Sequence, residues 1–229
     1  MQGEVASGFG KNDVEILETV NCYTGFMRID RVRLKCRLFQ GGWSKEFSRE
    51  VLRRDPGVGV LLYDPHLDKV LLVEQFRIGC LNDARNGPWA LELVAGLLDE
   101  EGEAPGDVAI RETFEETGLQ VNGLLPICEY YNSPGGSAEK MTVYCASFDS
   151  TKAGGIFGLQ TESENIRSVV VSRIEAQQAV AGGRINNAMS IIALQWLQLT
   201  LETTKAALLA QQDAGGPQHS SRTKADFRS

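Results

Sequence analysis

The chain is predicted to adopt an α/β fold, a mixed sheet with helices, preceded by a small antiparallel β unit. Three observations predict it. Residues 13–53 read as strands broken by turns. From residue 57 onward, strand-like apolar runs are interleaved with helical stretches. One acid-rich helix stands between two groups of those strands. With 229 residues there is room for one large domain, or one domain and a smaller appendage. The expected division is 1–55 as a β domain, 56–210 as the main domain and 211–229 as a flexible tail.

The first unit contains VEILETV, FMRIDRVRLKCRLF and WSKEFSREVL, separated by turns at Thr24-Gly25 and Gln40-Gly41-Gly42. Three strands make a small unit to stand alone. Asp55-Pro56-Gly57 marks a boundary. GVGVLLYD and KVLLVEQF are strands around an Asp64-Pro65 turn, and WALELVAG is one short strand that delivers the chain into an acidic loop. A helix follows from Pro105 to Thr117, with proline suited to its first turn and Gly118 to its stop. LLPICEYY, KMTVYCASF and IRSVVVS read as strands. Two helices then close the domain, RIEAQQAVAG and NAMSIIALQWLQLTLETTKAALLA. In the second, Ala188, Ile191, Ile192, Trp196 and Leu199 form an apolar stripe expected in the core. From about Gln211 the chain reads as a mobile tail.

Hydrophobic residues at 42% and charged residues at 23% are ordinary for a globular protein. The net charge of −7 is local: residues 99–116 hold eight acids against Arg111 alone, and the rest of the chain is neutral. Concentrated negative charge attracts cations and repels bare phosphate, so an anionic substrate needs metal to bridge it. No basic stripe suggests nucleic acid. No apolar run approaches the roughly 20 residues that span a bilayer, and cytoplasm is the default expectation. Cys22, Cys36, Cys80, Cys128 and Cys145 lack zinc-ligand spacing and are expected as reduced core residues. His66, in a turn, and His219, in the tail, carry no chemistry.

The helix itself does. Glu112, Glu115 and Glu116 stand at i, i+3 and i+4 and share an arc of roughly 100°. Ile110 and Phe114 fall on the opposite face, which can dock against a core. Like charges at i,i+4 destabilise a helix by about 0.2–0.5 kcal/mol per pair, so folding alone gives no reason for the cluster. A solvated charged face is the plain alternative. A hard divalent cation gives it a reason, because such ions take carboxylate oxygens.

The surrounding pattern is Gly96, then Glu103, then seven residues to Arg111-Glu112-Thr113-Phe114-Glu115-Glu116-Thr117-Gly118-Leu119. It resembles the Nudix box, a loop–helix–loop motif of enzymes that hydrolyse nucleoside diphosphates linked to another group. The sequence departs from it twice. Six residues rather than five separate Gly96 from Glu103, and Thr113 holds the hydrophobic position after Arg-Glu. Neither removes a carboxylate. The resemblance implies an α/β/α sandwich over roughly residues 57–207.

Pro134 stands fifteen residues past Leu119, an offset that marks the ADP-ribose pyrophosphatase branch; a plain Pro-Gly turn is the other reading. FGKNDVEI, EQFRIG, PWALELVAG, SPGGSAEK and INNAMSIIALQWLQL extend the likeness along most of the chain. It implies Mg²⁺-dependent hydrolysis of ADP-ribose to AMP and ribose 5-phosphate, with two or three ions and Mn²⁺ as a possible substitute. By resemblance the metal ligands are Ala95, through its carbonyl, with Glu112, Glu116 and Glu164. The catalytic set is Glu162, as the base in a glycine-rich acidic loop, with Glu115 and Arg111. Glu103 is better placed to order the loop than to bind metal. Phe26, Arg49, Glu50, Arg77, Pro134 and Glu139 are implied to contact substrate, and a homodimer is implied. Another nucleotide sugar, such as GDP-mannose or UDP-glucose, is the alternative substrate. A sensor that binds ADP-ribose without cutting it is a further alternative.

Overall fold

Strand β4 (Gly57–Asp64) is buried at every residue, which explains why GVGVLLYD is a continuous apolar run rather than an alternating one. It lies inside an eight-stranded sheet seen in a computed structural model that describes residues 8–98, 102–159, 161 and 163–214. With β5 (Lys69–Phe76), β8 (Leu125–Tyr131), β9 (Lys140–Ser147), β10 (Gly155–Phe157) and β11 (Ile166–Ser172), the order is β10-β11-β5-β4-β9-β8. Two short strands, β6 (Trp89–Glu92) and β7 (Val94–Leu97), pair with β5 and β4 respectively. The single strand expected over WALELVAG is therefore two. Leu93, fully buried, separates them, and its N–H donates to the Ser190 hydroxyl oxygen.

The β4–β5 turn is built as its sequence demands. Asp64 is buried, and its carboxylate accepts from the N–H groups of His66, Leu67 and Ser150 at 2.9–3.1 Å. Burial alone would raise the Asp64 pKa, but these bonds outweigh it and hold it below the usual carboxylate range. The core is Leu, Val and Ile from β4, β5 and their neighbours. Each fully buried side chain of this kind contributes about 1.5–3 kcal/mol. Gly59 in β4 leaves room for the Met189 side chain, which a Cβ there would displace.

Four helices complete this unit: α1 (Pro105–Thr117), α2 (Arg173–Ala181), α3 (Ala188–Leu199) and α4 (Leu201–Ala214). Ser172 and Glu175 cap α2 reciprocally, and Asn187 caps α3 through Ser190 N–H. Helix α1 runs from Pro105 to Thr117 as expected and ends at Gly118, whose φ of 70° is the left-handed stop favoured by glycine.

Several expectations are corrected. The last helix is interrupted at Thr200, whose hydroxyl turns back to the Trp196 carbonyl. The stripe of Ala188, Ile191, Ile192, Trp196 and Leu199 is not the core face. Leu199 is 86% exposed, and the buried positions are Ser190, Ala193, Leu194 and Leu197. Residues 211–214, expected in the tail, are helical, and the rest of the tail lies outside the described residues. Of the five free cysteines only Cys145 is buried; Cys22 is exposed.

The chain divides into two compact units. The first takes the described part of Met1–Gly57 with Leu97–Glu101 and Glu129–Met141, and the second takes the remainder. The first unit holds a three-stranded antiparallel sheet of β1 (Val14–Thr24), β2 (Arg28–Cys36) and β3 (Phe47–Arg53). Within those strands only Asp30 and Val32 are buried, so the sheet has almost no apolar core of its own. Asp30 is its polar hub. It accepts from Asn21 Nδ2 and Arg53 Nε, both at 3.1 Å, and lies 3.8 Å from Arg28 Nε. Leu52 also hydrogen-bonds with Gly136 and Ala138, which ties β3 to the turn between β8 and β9.

Candidate active site

Strand β7 and helix α1 bring the box residues together. Ala95 N–H donates to Glu116 Oε2 at 3.1 Å, which fixes the helix against the strand. A Cβ built on Gly96 would overlap the Glu112 side chain, so glycine leaves room for that carboxylate where it stands. The helix faces are the reverse of the expected ones. Ile110 and Phe114 are exposed, while Val108, Ala109, Thr113, Glu116 and Thr117 are buried. Thr113 sits at the hydrophobic position without strain because its hydroxyl donates to the Ala109 carbonyl at 2.7 Å.

Arg111 organises the acids. Its guanidinium meets Glu112 at 2.9 Å, Glu115 at 3.3 Å and Glu103 at 3.4 Å. Glu103 is thus bound to the helix by this arginine, consistent with a loop-ordering part, although its second oxygen is buried without a partner. Glu164 is half-buried and closes its own loop: its Oε2 accepts from Leu159 N–H, and its N–H donates to the Leu159 carbonyl, both at 3.2 Å. The glycine-rich run before it is not simply a loop, because β10 pairs with β11 there. Glu162 lies outside the described residues.

Burial pushes the Glu116 pKa up to about 8, against the opposing Ala95 hydrogen bond, and that of Glu112 up to about 7, against Arg111. Glu164 adds to both shifts and Arg77 lowers that of Glu116, so both charges are felt at the cluster. Two acids kept at such cost suit a cation. Glu116 is 3% exposed, and among the described residues its carboxylate accepts one hydrogen bond, from Ala95 N–H. Carboxylate and backbone carbonyl oxygens are the donor set of a hard divalent ion. Among the described residues no three acidic, thiol or imidazole groups converge closely enough to enclose an ion as they stand, and Arg111 is paired with both Glu112 and Glu115.

Beside this cluster, Arg77 follows β5 and donates from Nε to Glu92 Oε2 at 2.6 Å. Sequence reasoning did not single out Glu92. The strand pattern gave no signal for it, because the β5–β6 register sets Glu92 opposite Val73, four residues before Arg77.

The remaining expected contact residues lie in the first unit. Phe26 is 85% exposed, with the Arg54 guanidinium 5.8 Å from its ring. Arg54 also pairs with Glu139 at 3.2 Å, and Asn132 donates to the other Glu139 oxygen at 2.6 Å. Pro134 sits in a turn closed by Gly136 N–H to the Ser133 carbonyl. Arg49 lies over Phe47 at 4.6 Å, and Glu50 is exposed on β3. A groove of about 340 Å³ is lined by Phe26, Arg28, Arg53, Arg54 and Asp55, with Leu97. Its arginines, other than by being exposed on a strand end, gave no sequence signal.

The NUDIX domain pattern matches residues 53–187. The chain belongs to the Nudix hydrolase family. It is 47% identical over 197 residues to the ADP-ribose pyrophosphatase of Escherichia coli strain K12, covering 86% of this chain and 93% of that one. It is 43% identical to the ADP-ribose pyrophosphatase of Haemophilus influenzae, covering 83% and 88% respectively. A solved structure described as an ADP compounds hydrolase superposes with a TM-score of 0.63 at 18% identity, over 84% of this chain and 96% of that one. That likeness bears on the fold, and it agrees with a Nudix domain of helices on a mixed sheet.

Proposed function

We propose that this Nudix hydrolase cleaves the pyrophosphate of ADP-ribose, consuming water and giving AMP and ribose 5-phosphate. The observation that carries the reading is the Ala95–Gly96 strand held against Glu112 and Glu116, in a chain so close to ADP-ribose pyrophosphatases. Ala95, Glu112, Glu116 and Glu164 would hold Mg²⁺, two or three ions, with Mn²⁺ as a substitute. When bound, such ions neutralise the non-bridging phosphate oxygens and lower the pKa of an attacking water.

The chain's own residues have separate tasks. Glu162 takes the proton of the water as it adds to phosphorus, while the bridging P–O bond breaks and its electron pair leaves with the departing phosphate. Arg111 keeps Glu112 and Glu115 in register before the ion arrives. Arg77 offers a guanidinium to a phosphate. Phe26, Arg49, Glu50, Pro134 and Glu139 contact the nucleotide and sugar. The active species is a homodimer in the cytoplasm, with residues 1–55 contributing to dimerisation and 56–210 forming the hydrolase domain.

The test is product analysis with pure protein, Mg²⁺ and a panel of ADP-ribose, GDP-mannose and UDP-glucose in ¹⁸O-water. AMP and ribose 5-phosphate, one of them labelled, are expected from ADP-ribose. A higher kcat/KM for another sugar would replace the substrate, and binding of ADP-ribose without turnover would make the chain a sensor. In the same assay Glu162→Gln is expected to lower kcat by about 10²–10⁴, the range of a general base. Near-normal turnover would move that role to another residue.

A further inference from the structure

We propose that Glu92 is a positioning residue for substrate binding, acting through Arg77; this rests on Arg77 meeting a phosphate in the proposed reaction. Arg77 stands just beyond β5, where its N–H donates to the Pro88 carbonyl at 2.7 Å and so fixes its backbone. The β5–β6 ladder pairs Phe76 with Trp89 and Val73 with Glu92, and Arg77 and Glu92 meet through their side chains rather than as ladder partners. Its carboxylate, 14% exposed, accepts from Arg77 Nε at 2.6 Å.

The choice of atom is what matters. Guanidinium presents five N–H donors in a rigid plane. With Nε occupied, the plane is oriented, and the two terminal nitrogens, which have no acceptor among the described residues, are left as a pair on a side chain that is 42% exposed. That pair is the fork which recognises a phosphate through two parallel hydrogen bonds. The charge of Arg77 already reaches Glu116, so a guanidinium released from Glu92 would be drawn toward the box acids. Arg77 would then swing away from substrate toward the acids. Glu92 therefore keeps a cation apart from the acids it would otherwise neutralise.

The experiment measures kcat and KM on ADP-ribose for wild type, Glu92→Ala, Glu92→Gln, Arg77→Ala and the Glu92→Ala/Arg77→Ala pair. Glu92→Ala is expected to raise KM about tenfold, the scale of one hydrogen bond to a charged group, with kcat changed less than about twofold. Glu92→Gln keeps an acceptor oxygen and is expected to recover most of that loss. In the Arg77→Ala background, Glu92→Ala is expected to add nothing. Unchanged KM in Glu92→Ala, a fall in kcat alone, or additive effects in the pair would each overturn the proposal. Thermal melts separate it from loss of folded protein, and Glu92→Gln serves where Glu92→Ala does not fold. Should wild type turn over GDP-mannose in place of ADP-ribose, the substrate reading fails and the same KM comparison is made on that sugar. If wild type cleaves neither, both readings fall.

Discussion

Gly96 is the residue on which the site turns, because any side chain there occupies the space of the Glu112 carboxylate. Gly96→Ala is expected to keep the fold yet lower kcat/KM about 10²-fold, the loss associated with a displacement of roughly 1 Å at a reacting centre. Circular dichroism beside turnover checks this, and wild-type turnover would show that Glu112 can relax. At this scale much was legible in the sequence. The spacing of Glu112, Glu115 and Glu116 placed all three on α1, and the likeness to the Nudix box picked out Ala95 and Gly96. The burial of Glu116 was not legible, since a charged residue is ordinarily assigned to solvent and Ile110 and Phe114 to the core. The reversal has a physical cause. The box carboxylates face the protein to form a site, so the apolar pair on the other side is left outward.

At the scale of elements, Asp68 and Arg173 join the end of the β4–β5 turn to the start of α2. Arg173 donates Nε and Nη2 to the two Asp68 oxygens at 2.8 and 2.9 Å, and Tyr63 adds its hydroxyl at 2.9 Å. The Arg173 hydrogen bonds hold the Asp68 pKa below its ordinary value of 3.8, although burial opposes them. A depressed acid stabilises the fold above its unfolded pKa, and that contribution is lost as pH falls through the lower folded one. Asp68→Asn is therefore expected to lower the urea midpoint at neutral pH and to flatten its decline below about pH 4. A parallel pH curve would mean that the pair carries no linkage. Strands and the box helix were readable because their periods are long and their turns are marked by glycine and proline. The breaks at Leu93 and Thr200 were not readable. Each depends on a partner distant in sequence or on a hydroxyl bonding to its own helix.

For the whole molecule, removing divalent ions with EDTA is expected to abolish turnover, and added Mg²⁺ to restore it. Retained activity after exhaustive chelation would remove the metal from the reaction. The first unit bears on assembly. Its sheet leaves Val14, Ile16 and Tyr23 exposed, the β1–β2 turn leaves Phe26 exposed, and so small a buried interior leaves the sheet marginal by itself. Light scattering is expected to give twice the monomer mass, and a monomer at micromolar concentration would contradict the proposed dimer. A strand-rich start before Asp55-Pro56-Gly57 was readable in the sequence. The inclusion of Glu129–Met141 in the first unit was not, because it rests on long-range pairing of Leu52 with Gly136 and Ala138.

The contrast between Cys22 and Cys145 has a practical consequence. The exposed thiol can react with a maleimide while the protein stays native, whereas Cys145, enclosed in β9 with a pKa pushed up to about 12 by that enclosure, has to wait for the sheet to open. After the accessible thiols are blocked, the rate at which this last sulfur is alkylated becomes a clock for native-state opening, built into the chain without any added label.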